Sequence, residues 1–198
     1  MNDGFNRLSS GIFIERRLNK EDLEQLEKHK RCKRVVITGL KADNLDFLLP
    51  MKGLQKLVMY SCTIRDWTAL KKLGKLKEIF INGVRNDIDN FSFLSDMHSL
   101  EYIGIVNAVH LYNFPDLSEC KNLQRLSIWD CKNLTDISSI ASIPNIERFG
   151  ITSKCIMPND LEFIMQMPSI KYMSGAFGGK KILNQFMELL SKYGLQYG

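Results

Sequence analysis

The chain has 198 residues and a formal net charge of +5 at pH 7, and its 44% hydrophobic and 25% charged residues are typical of a globular protein. A charge this small favours acidic partners slightly and does not by itself indicate nucleic-acid binding. No apolar run approaches the ~18 residues of a membrane span and the first residues show no signal-peptide pattern, so we expect a cytoplasmic protein that does not enter a membrane.

The cysteines point to the same compartment. The chain contains five of them, an odd number, and no C-x-x-C pair. Scattered cysteines of this kind usually behave as small buried hydrophobic residues in a reducing environment. They therefore predict buried thiols in a cytoplasmic protein.

The N-terminal segment contains the first predicted elements. Ile12 and Ile14 alternate with other residues as in an edge strand. Asn19 followed by Asp22 resembles a capping box, which marks the start of a helix. A cap of this kind is expected wherever a stack of repeats would otherwise expose an apolar end.

The predicted helix runs to about Lys30, with Leu23 and Leu26 facing inward. A basic run occupies residues 28–34. We interpret it as the cationic end of the helix, where the helix dipole favours positive charge. A nuclear signal or a nucleic-acid patch is the alternative interpretation.

An apolar frame of the form L-x-x-L-x-L recurs through the middle of the chain. Its copies begin 22, 24, 23 and 23 residues apart. They read Leu54-Leu57-Met59, Leu76-Ile79-Ile81, Leu100-Ile103-Ile105, Leu123-Leu126-Ile128 and Ile146-Phe149-Ile151. Degenerate copies start at Cys32 and Ile170. The period-two spacing within each frame predicts a short strand.

The second half of each unit has apolar residues at steps of three. These residues are Ile64, Trp67, Leu70 and Leu73; Ile88, Phe91, Leu94 and Met97; and Leu134, Ile137, Ile140 and Ile143. A period of three predicts a 3₁₀-like or short helical return. A single unit of this size cannot bury its apolar faces alone, so the units are expected to stack into a solenoid.

The repeated frame resembles the leucine-rich-repeat family over about residues 32–178. The segment Ile64-Arg65-Asp66-Trp67-x-x-Leu70-x-x-Leu73 is similar to the short-repeat type found in internalins and in the protein-phosphatase regulatory subunit. The resemblance implies an α/β fold: a curved horseshoe with a parallel sheet on the concave face and 3₁₀ or short helices on the convex side. It also implies function through protein–protein binding.

One column departs from the family pattern. The family usually places Asn or Cys eight residues after the first Leu of the frame, where the side chain satisfies buried backbone groups. Here that column reads Cys62, Val84, Ala108, Cys131 and Lys154. We therefore expect these turns to use other hydrogen-bond partners, such as water.

The C-terminal segment is predicted to be a capping helix after Gly178-Gly179, with Gly194 as its stop. Its helically spaced apolar residues are Ile182, Leu183, Phe186, Leu189, Leu190 and Tyr193. A helix that binds a partner is the alternative. The whole chain is then one domain of residues 1–198, with an N-terminal cap at 1–31, repeats at 32–178 and a C-terminal capping helix at 179–198.

Residues between the frame positions are expected to line the concave face, because side chains alternate along a strand. They form three columns: Arg34, Lys56, Glu78, Tyr102, Arg125, Arg148, Tyr172; Val36, Val58, Phe80, Gly104, Ser127, Gly150, Ser174; and Thr38, Tyr60, Asn82, Val106, Trp129, Thr152, Ala176.

The candidate partner-binding residues come from these columns. They are Tyr60, Phe80, Tyr102, Trp129, Arg34, Lys56, Arg125, Arg148 and Tyr172. Exposed aromatic residues in one patch are typical of interfaces, although they also pack against each other across strands. The basic residues of the first column predict an acidic rim on the partner.

The sequence contains no pattern that indicates catalysis. His29, His98 and His110 stand in different units, and no metal-spaced set or nucleophile with its base is evident. We expect no enzyme activity, no catalytic residues, no metal and no cofactor. The segment Gly175-Ala-Phe-Gly-Gly-Lys-Lys lacks the spacing of a phosphate loop and is interpreted as a turn before the cap.

The predicted function is therefore a non-enzymatic protein-binding module, monomeric when free. Two specific forms are an immunity or inhibitor protein that masks a toxin or enzyme site, and a regulatory subunit of an enzyme. A binder of nucleic acid or another polyanion, and a purely architectural repeat, are the competing classes. Strong salt dependence of binding would distinguish the polyanion binder.

Overall fold

The computed structural model describes residues 5–8, 11–15, 17–84 and 89–198. Within this part of the chain the strands are β1 (Phe5–Leu8), β2 (Gly11–Ile14), β3 (Arg34–Thr38), β4 (Lys41–Ala42), β5 (Lys56–Tyr60), β6 (Thr63–Ile64), β7 (Glu78–Asn82), β8 (Tyr102–Val106), β9 (Arg125–Trp129), β10 (Arg148–Thr152), β11 (Tyr172–Ala176) and β12 (Gln196–Tyr197). The α-helices are α1 (Lys20–Leu26), α2 (Glu162–Met165) and α3 (Lys180–Lys192).

Ten strands form one sheet in the order β1-β2-β3-β5-β7-β8-β9-β10-β11-β12. The strands from β2 to β12 are parallel, and only the β1–β2 pair is antiparallel among the described strands. β4 and β6 form a separate two-stranded parallel sheet. The sheet order follows the chain order, as it must when successive units of one repeat stack on each other.

The strand register confirms the predicted frame. The second frame positions, Leu57, Ile79, Ile103, Leu126 and Phe149, lie side by side on consecutive strands. All five side chains are buried. They belong to one hydrophobic core that extends from Ile12 to Leu190. Each unit therefore covers the apolar flank of its neighbour, which a single unit could not do.

The period-three segments form the predicted returns. The 3₁₀ helices are Asp46–Leu48, Thr68–Lys72, Asp89–Asp96, Ser138–Ser142 and Pro158–Leu161. The return from β8 to β9 is an exception, because it has no 3₁₀ helix among the described elements; its Asn113 forms an isolated bridge with Asp136 of the following return. Ile88, one residue of the predicted pattern, lies outside the described residues.

Backbone groups close the turns that lack the asparagine column. A left-handed residue follows five of the strands, at Gly39, Ser61, Gly83, Asn107 and Asp130. The N–H of Ser61 donates to the carbonyl of Asn82 at 2.8 Å, and the N–H of Asn107 donates to that of Trp129 at 3.0 Å. Each such bond links a turn to the last residue of the next strand, so these donors need no water.

Two cysteines add to this closure. The thiol of Cys62 contacts the carbonyl oxygens of Tyr60 and Ile37 at 3.4 and 3.7 Å, and Cys131 contacts that of Trp129 at 3.5 Å. In the following unit the buried polar residue is Ser153, one position before the expected Lys154. Its hydroxyl accepts hydrogen bonds from the N–H groups of Cys155 and Ile156.

The N-terminal end differs from its prediction in two respects. β2 is not an edge strand, because β1 pairs with its outer side. The capping box of Asn19 and Asp22 is present, but α1 ends at Leu26, and Leu23 is 39% exposed while Leu26 is buried. Asp22, four residues before Leu26, occupies the other inward position of α1, and Leu23 is therefore left at the surface.

The basic run at residues 28–34 begins after α1 has ended. The last turn of α1 contains no basic residue, so the interpretation of the run as the cationic end of the helix is wrong. The run forms the turn into β3 instead. No helix in the described residues is long and apolar enough to cross a bilayer.

At the C-terminal end α3 stops where predicted. Gly194 has a φ of 66°, the left-handed value that a glycine after a helix commonly adopts. Phe186 and Leu190 of α3 are buried against the last repeat, whereas Leu183 is 38% exposed. The chain then adds β12 to the sheet beside β11, an element that the helix pattern did not predict.

Candidate partner-binding face

The three predicted columns lie on one face of the large sheet, opposite the face buried in the core. We call this the open face. The register places Arg34, Lys56, Glu78, Tyr102, Arg125, Arg148 and Tyr172 in one row across seven strands. The second column is in register in the same way, and so is the third from Thr38 to Trp129 and from Thr152 to Ala176. All nine candidate residues therefore lie on the open face, although not all of them are equally accessible.

Aromatic rings cover the middle of the open face. Tyr60 is 39% exposed, and Phe80, Tyr102 and Trp129 are half-buried. The rings of Tyr60 and Phe80 have centroids 5.9 Å apart and are tilted by 57°. The cross-strand packing considered as an alternative is thus present for this pair, and it leaves Tyr60 open to solvent.

Two glycines in the second column make room for these rings. A Cβ on Gly104 would lie 2.6 Å from Phe80 Cδ2 and 2.6 Å from the Tyr102 hydroxyl. A Cβ on Gly150 would lie 2.8 Å from Trp129 Cζ2. The rings therefore lie down against the sheet backbone. This signal was visible in the sequence as glycine at strand centres, where it marks a close approach.

The second column is less accessible on β3 and β5, at the N-terminal end of the sheet. Val36 and Val58 are buried, even though both are on the open face. In the register they are flanked by longer side chains, including Arg34, Lys56 and Tyr60. The accessible part of this column therefore begins at Phe80.

The basic residues of the first column are not equivalent. Lys56 forms an ion pair with Glu78 on the next strand, which neutralises it. Arg34 is half-buried and has a partner of its own. Arg125 and Arg148 are exposed, and each guanidinium lies over a tyrosine ring: Arg125 over Tyr102 at 4.1 Å from the ring centroid, and Arg148 over Tyr172 at 3.8 Å.

A row of polar residues immediately before the strands was missed at the sequence level. Glu101, Gln124 and Glu147 line a shallow cavity of about 210 Å³ together with the first-column residues Glu78, Tyr102, Arg125 and Arg148. Glu101 is paired with Lys77 at 2.7 Å, and Glu147 with Lys171 at 2.8 Å. The repeat pattern predicted the strands and gave no reason to consider the residues before them.

Three cysteine thiols are buried within the repeats and are not activated as nucleophiles. Burial raises the pKa of the Cys120 and Cys131 thiols to about 11, and raises that of Cys62 as well. Such thiols remain protonated at neutral pH and are poor nucleophiles. No group of three His, Cys, Asp or Glu side chains suited to a metal ion occurs in the described part of the chain.

Two further clefts in the described part of the chain lie away from the open face. One, of about 740 Å³, lies beside α1 and includes Leu23 and Phe47 among its walls. The other, of about 540 Å³, is formed by Gly11, Ile12 and the basic turn 28–32. Neither includes a candidate residue from the three columns.

Two internalins of known structure superpose on this chain, and the first of them supports the fold. An internalin (inlF) from Listeria monocytogenes superposes with a TM-score of 0.55 at 14% sequence identity, covering 91% of this chain and 62% of that chain. An internalin C2 (inlC2) from the same organism gives a TM-score of 0.45 at 17% identity, covering 85% of this chain and 80% of that chain. No protein-family model and no curated protein sequence matches the chain.

The chain thus spans 62% of the length of the first internalin. At this identity the superposition establishes the shared fold and nothing about shared partners. The parallel sheet, its register and the 3₁₀ returns agree with it. The protein is a leucine-rich-repeat solenoid whose fold is similar to that of an internalin.

Proposed function

We propose that this protein is a non-enzymatic binding module that docks a partner protein on the open face of its sheet. One observation carries the proposal: three half-buried aromatic rings pack closely against two glycines of the sheet in an accessible surface. These are Phe80 and Tyr102 against Gly104, and Trp129 against Gly150. Rings held in place before binding lose little conformational freedom when a partner covers them. Tyrosine, tryptophan and arginine are also the residues that most often dominate binding energies.

The charge of the open face supports a protein partner over a nucleic acid. Glu78, Glu101 and Glu147 lie among the basic residues at its edge, and each is in an ion pair with a lysine. A polyanion-binding surface gains affinity by presenting many unneutralised cations along its length. This edge presents few of them, which suits a partner with a limited acidic rim.

The free thiols support a reducing location such as the cytoplasm. All five cysteines are free, and Cys62, Cys120 and Cys131 are buried within the repeats. Structural thiols of this kind are typical of proteins kept in a reducing compartment. Masking of a toxin or enzyme site and regulation of an enzyme are both compatible with such a module.

The test is an affinity capture from the native host lysate with matched baits. The double variant Tyr60→Ala/Trp129→Ala removes two open-face rings, and Tyr112→Ala removes an exposed ring from the irregular return between β8 and β9. A stoichiometric protein retained by the wild type and by Tyr112→Ala, but lost from the double variant, supports the proposal. Equal recovery on all three baits contradicts it.

A further inference from the structure

The edge of the open face carries four residues in the order Tyr-Arg-Arg-Tyr on four neighbouring strands. Tyr102, Arg125, Arg148 and Tyr172 are aligned in the register of β8 to β11. The two arginines are therefore directly opposite each other on adjacent strands. Like charges in this position destabilise a sheet. Each guanidinium lies over the tyrosine on its outer side, so the two groups turn to opposite partners.

These arginines have no acid of their own in the described structure. Neither Arg125 nor Arg148 is within the 4.0 Å ion-pair distance of a carboxylate among the described residues. The nearby Glu101 and Glu147 are held by Lys77 and Lys171, which lie on the far sides of the arginine pair. The neutral Gln124 occupies the position between the two glutamates and lines the same cavity as both arginines.

From this arrangement we infer that Arg125 and Arg148 form a receptor for a carboxylate side chain of the partner protein, with Gln124 at its floor. The inference rests on the proposed binding function and narrows it to one chemical group. A carboxylate in this cavity would accept charge-assisted hydrogen bonds from a guanidinium group that turns away from its tyrosine ring, and its negative charge would offset the repulsion between the two arginines. Lys56, which is paired with Glu78, takes no part.

The surroundings favour a singly charged carboxylate over a polyanion. The lysine–glutamate pairs on either side leave a local excess of two positive charges, which a partner with one or two acidic side chains neutralises. A nucleic-acid backbone would bring further phosphates against Glu101 and Glu147. Gly198 lies beside Tyr172 and Arg148 at the outer end of the row.

The test uses acetyl-Gly-Glu-Gly amide, which carries a single carboxylate, as the probe, with acetyl-Gly-Gln-Gly amide as its neutral match. The Nε–Hε NMR signals of Arg125 and Arg148, assigned with Arg125→Gln and Arg148→Gln, should shift saturably with the acidic peptide alone. The signal of Arg65, which is paired with Asp43, is the internal control. The double glutamine variant should bind the peptide at least about tenfold more weakly.

A second variant supplies the carboxylate from within the protein. Gln124→Glu places an acid in the same cavity, so it should raise the melting temperature and abolish the response to the acidic peptide. If the arginines had only a structural role, Gln124→Glu would not both raise the melting temperature and abolish the response to the peptide. Arg125→Gln and Arg148→Gln keep the chain length and remove only the charge, so a folded spectrum can be checked for each.

The inference is overturned if neither arginine signal responds to the acidic peptide, or if the double variant binds the peptide as the wild type does. Preferential binding of an oligonucleotide such as octathymidylate would also overturn it. Failure here leaves the proposed function standing if Tyr60→Ala/Trp129→Ala still loses the captured partner. Failure of that capture experiment with a positive peptide response would retain the carboxylate receptor and reject the aromatic docking surface.

Discussion

Leu126 and Ser127 are neighbours in β9, but their side chains face two different parts of the molecule. Leu126 lies on the core face and is fully buried, whereas Ser127 lies on the open face between Gly104 and Gly150. The same positions of the core face carry apolar residues in every unit, because each unit must cover the apolar flank of the next. The open face has no such requirement, and its central column therefore mixes valine, phenylalanine, glycine and serine.

This contrast explains where the protein can carry specificity without losing its fold. A change on the core face removes contacts with two neighbouring units at once. A change on the open face affects rings and charges that rest on an intact sheet. Substitutions at matched positions on the two faces therefore provide the sharpest test of the register.

The largest effect is expected for Leu126→Ala. Truncating a buried leucine removes apolar contacts and leaves a cavity, so the free energy of unfolding should fall by about 2–5 kcal/mol. The measurement is urea unfolding followed by circular dichroism. Ser127→Ala on the open face is the matched control and should change stability by no more than about 0.5 kcal/mol. Comparable losses at both positions would mean that the two faces are not distinct.

A smaller effect on stability is expected for Gly150→Ala. The added methyl group would meet Trp129 Cζ2 at 2.8 Å and Ser174 Oγ at 2.9 Å, so the indole must move. The steric cost is offset in part because alanine restricts the unfolded chain, a gain of about 0.4–1 kcal/mol. Acrylamide quenching of tryptophan fluorescence should increase, since Trp67 is buried and Trp129 provides the accessible signal.

Gly74→Ala is the control for this experiment. A Cβ at Gly74 meets nothing within 4 Å, so the variant should keep both its wild-type quenching and its partner binding. Unchanged quenching in Gly150→Ala would show that Trp129 does not rest on the sheet.

The thiols provide a test that requires no substitution. Cys155 is exposed, whereas Cys62, Cys120 and Cys131 are buried with raised pKa values. Ellman's reagent at pH 8 should modify Cys155 quickly and the three buried thiols only after unfolding. Cys32, which is partly buried, should react at an intermediate rate. Rapid modification of Cys131 in the native protein would contradict the closed packing of its turn.

The smallest expected effect is a dependence of stability on acid pH that comes from the return turns. The carboxylates of Asp66 and Asp136 accept hydrogen bonds from the N–H groups of Thr68 and Ser138, and these bonds lower the pKa of both. A folded pKa below the unfolded value of about 3.9 stabilises the protein above that pH, and the contribution is lost as pH falls through the folded pKa.

Asn44 shows how to isolate this contribution, because its side-chain oxygen makes the same bond to the N–H of Asp46 without titrating. Asp66→Asn/Asp136→Asn should therefore retain the turns and show a flatter decline in the urea midpoint between pH 5 and pH 2. If the variant and the wild type had the same pH profile, these two carboxylates would not be the cause of the pH dependence of stability.

The repeat spacing by itself determined the main features of this protein. The frame beginning at Leu54, Leu76, Leu100, Leu123 and Ile146 predicted the strands, their parallel order and the residues of both faces. The frame succeeded because stacking packs each apolar side chain against the side chain at the same position in the next unit. The period of the apolar residues therefore identifies the core positions directly. The change of period from two to three predicted the 3₁₀ returns.

The tertiary structure alone decided which open-face residues are accessible. Lys56 is not a free cation, because Glu78 lies opposite it on the next strand and forms an ion pair with it. Val36 and Val58 are buried beside longer side chains, although both are on the open face. Two details of the end caps were also not predicted: α1 ends at Leu26, and β12 forms where the chain returns to the sheet. These outcomes rest on contacts between side chains distant in sequence, which a local period does not encode.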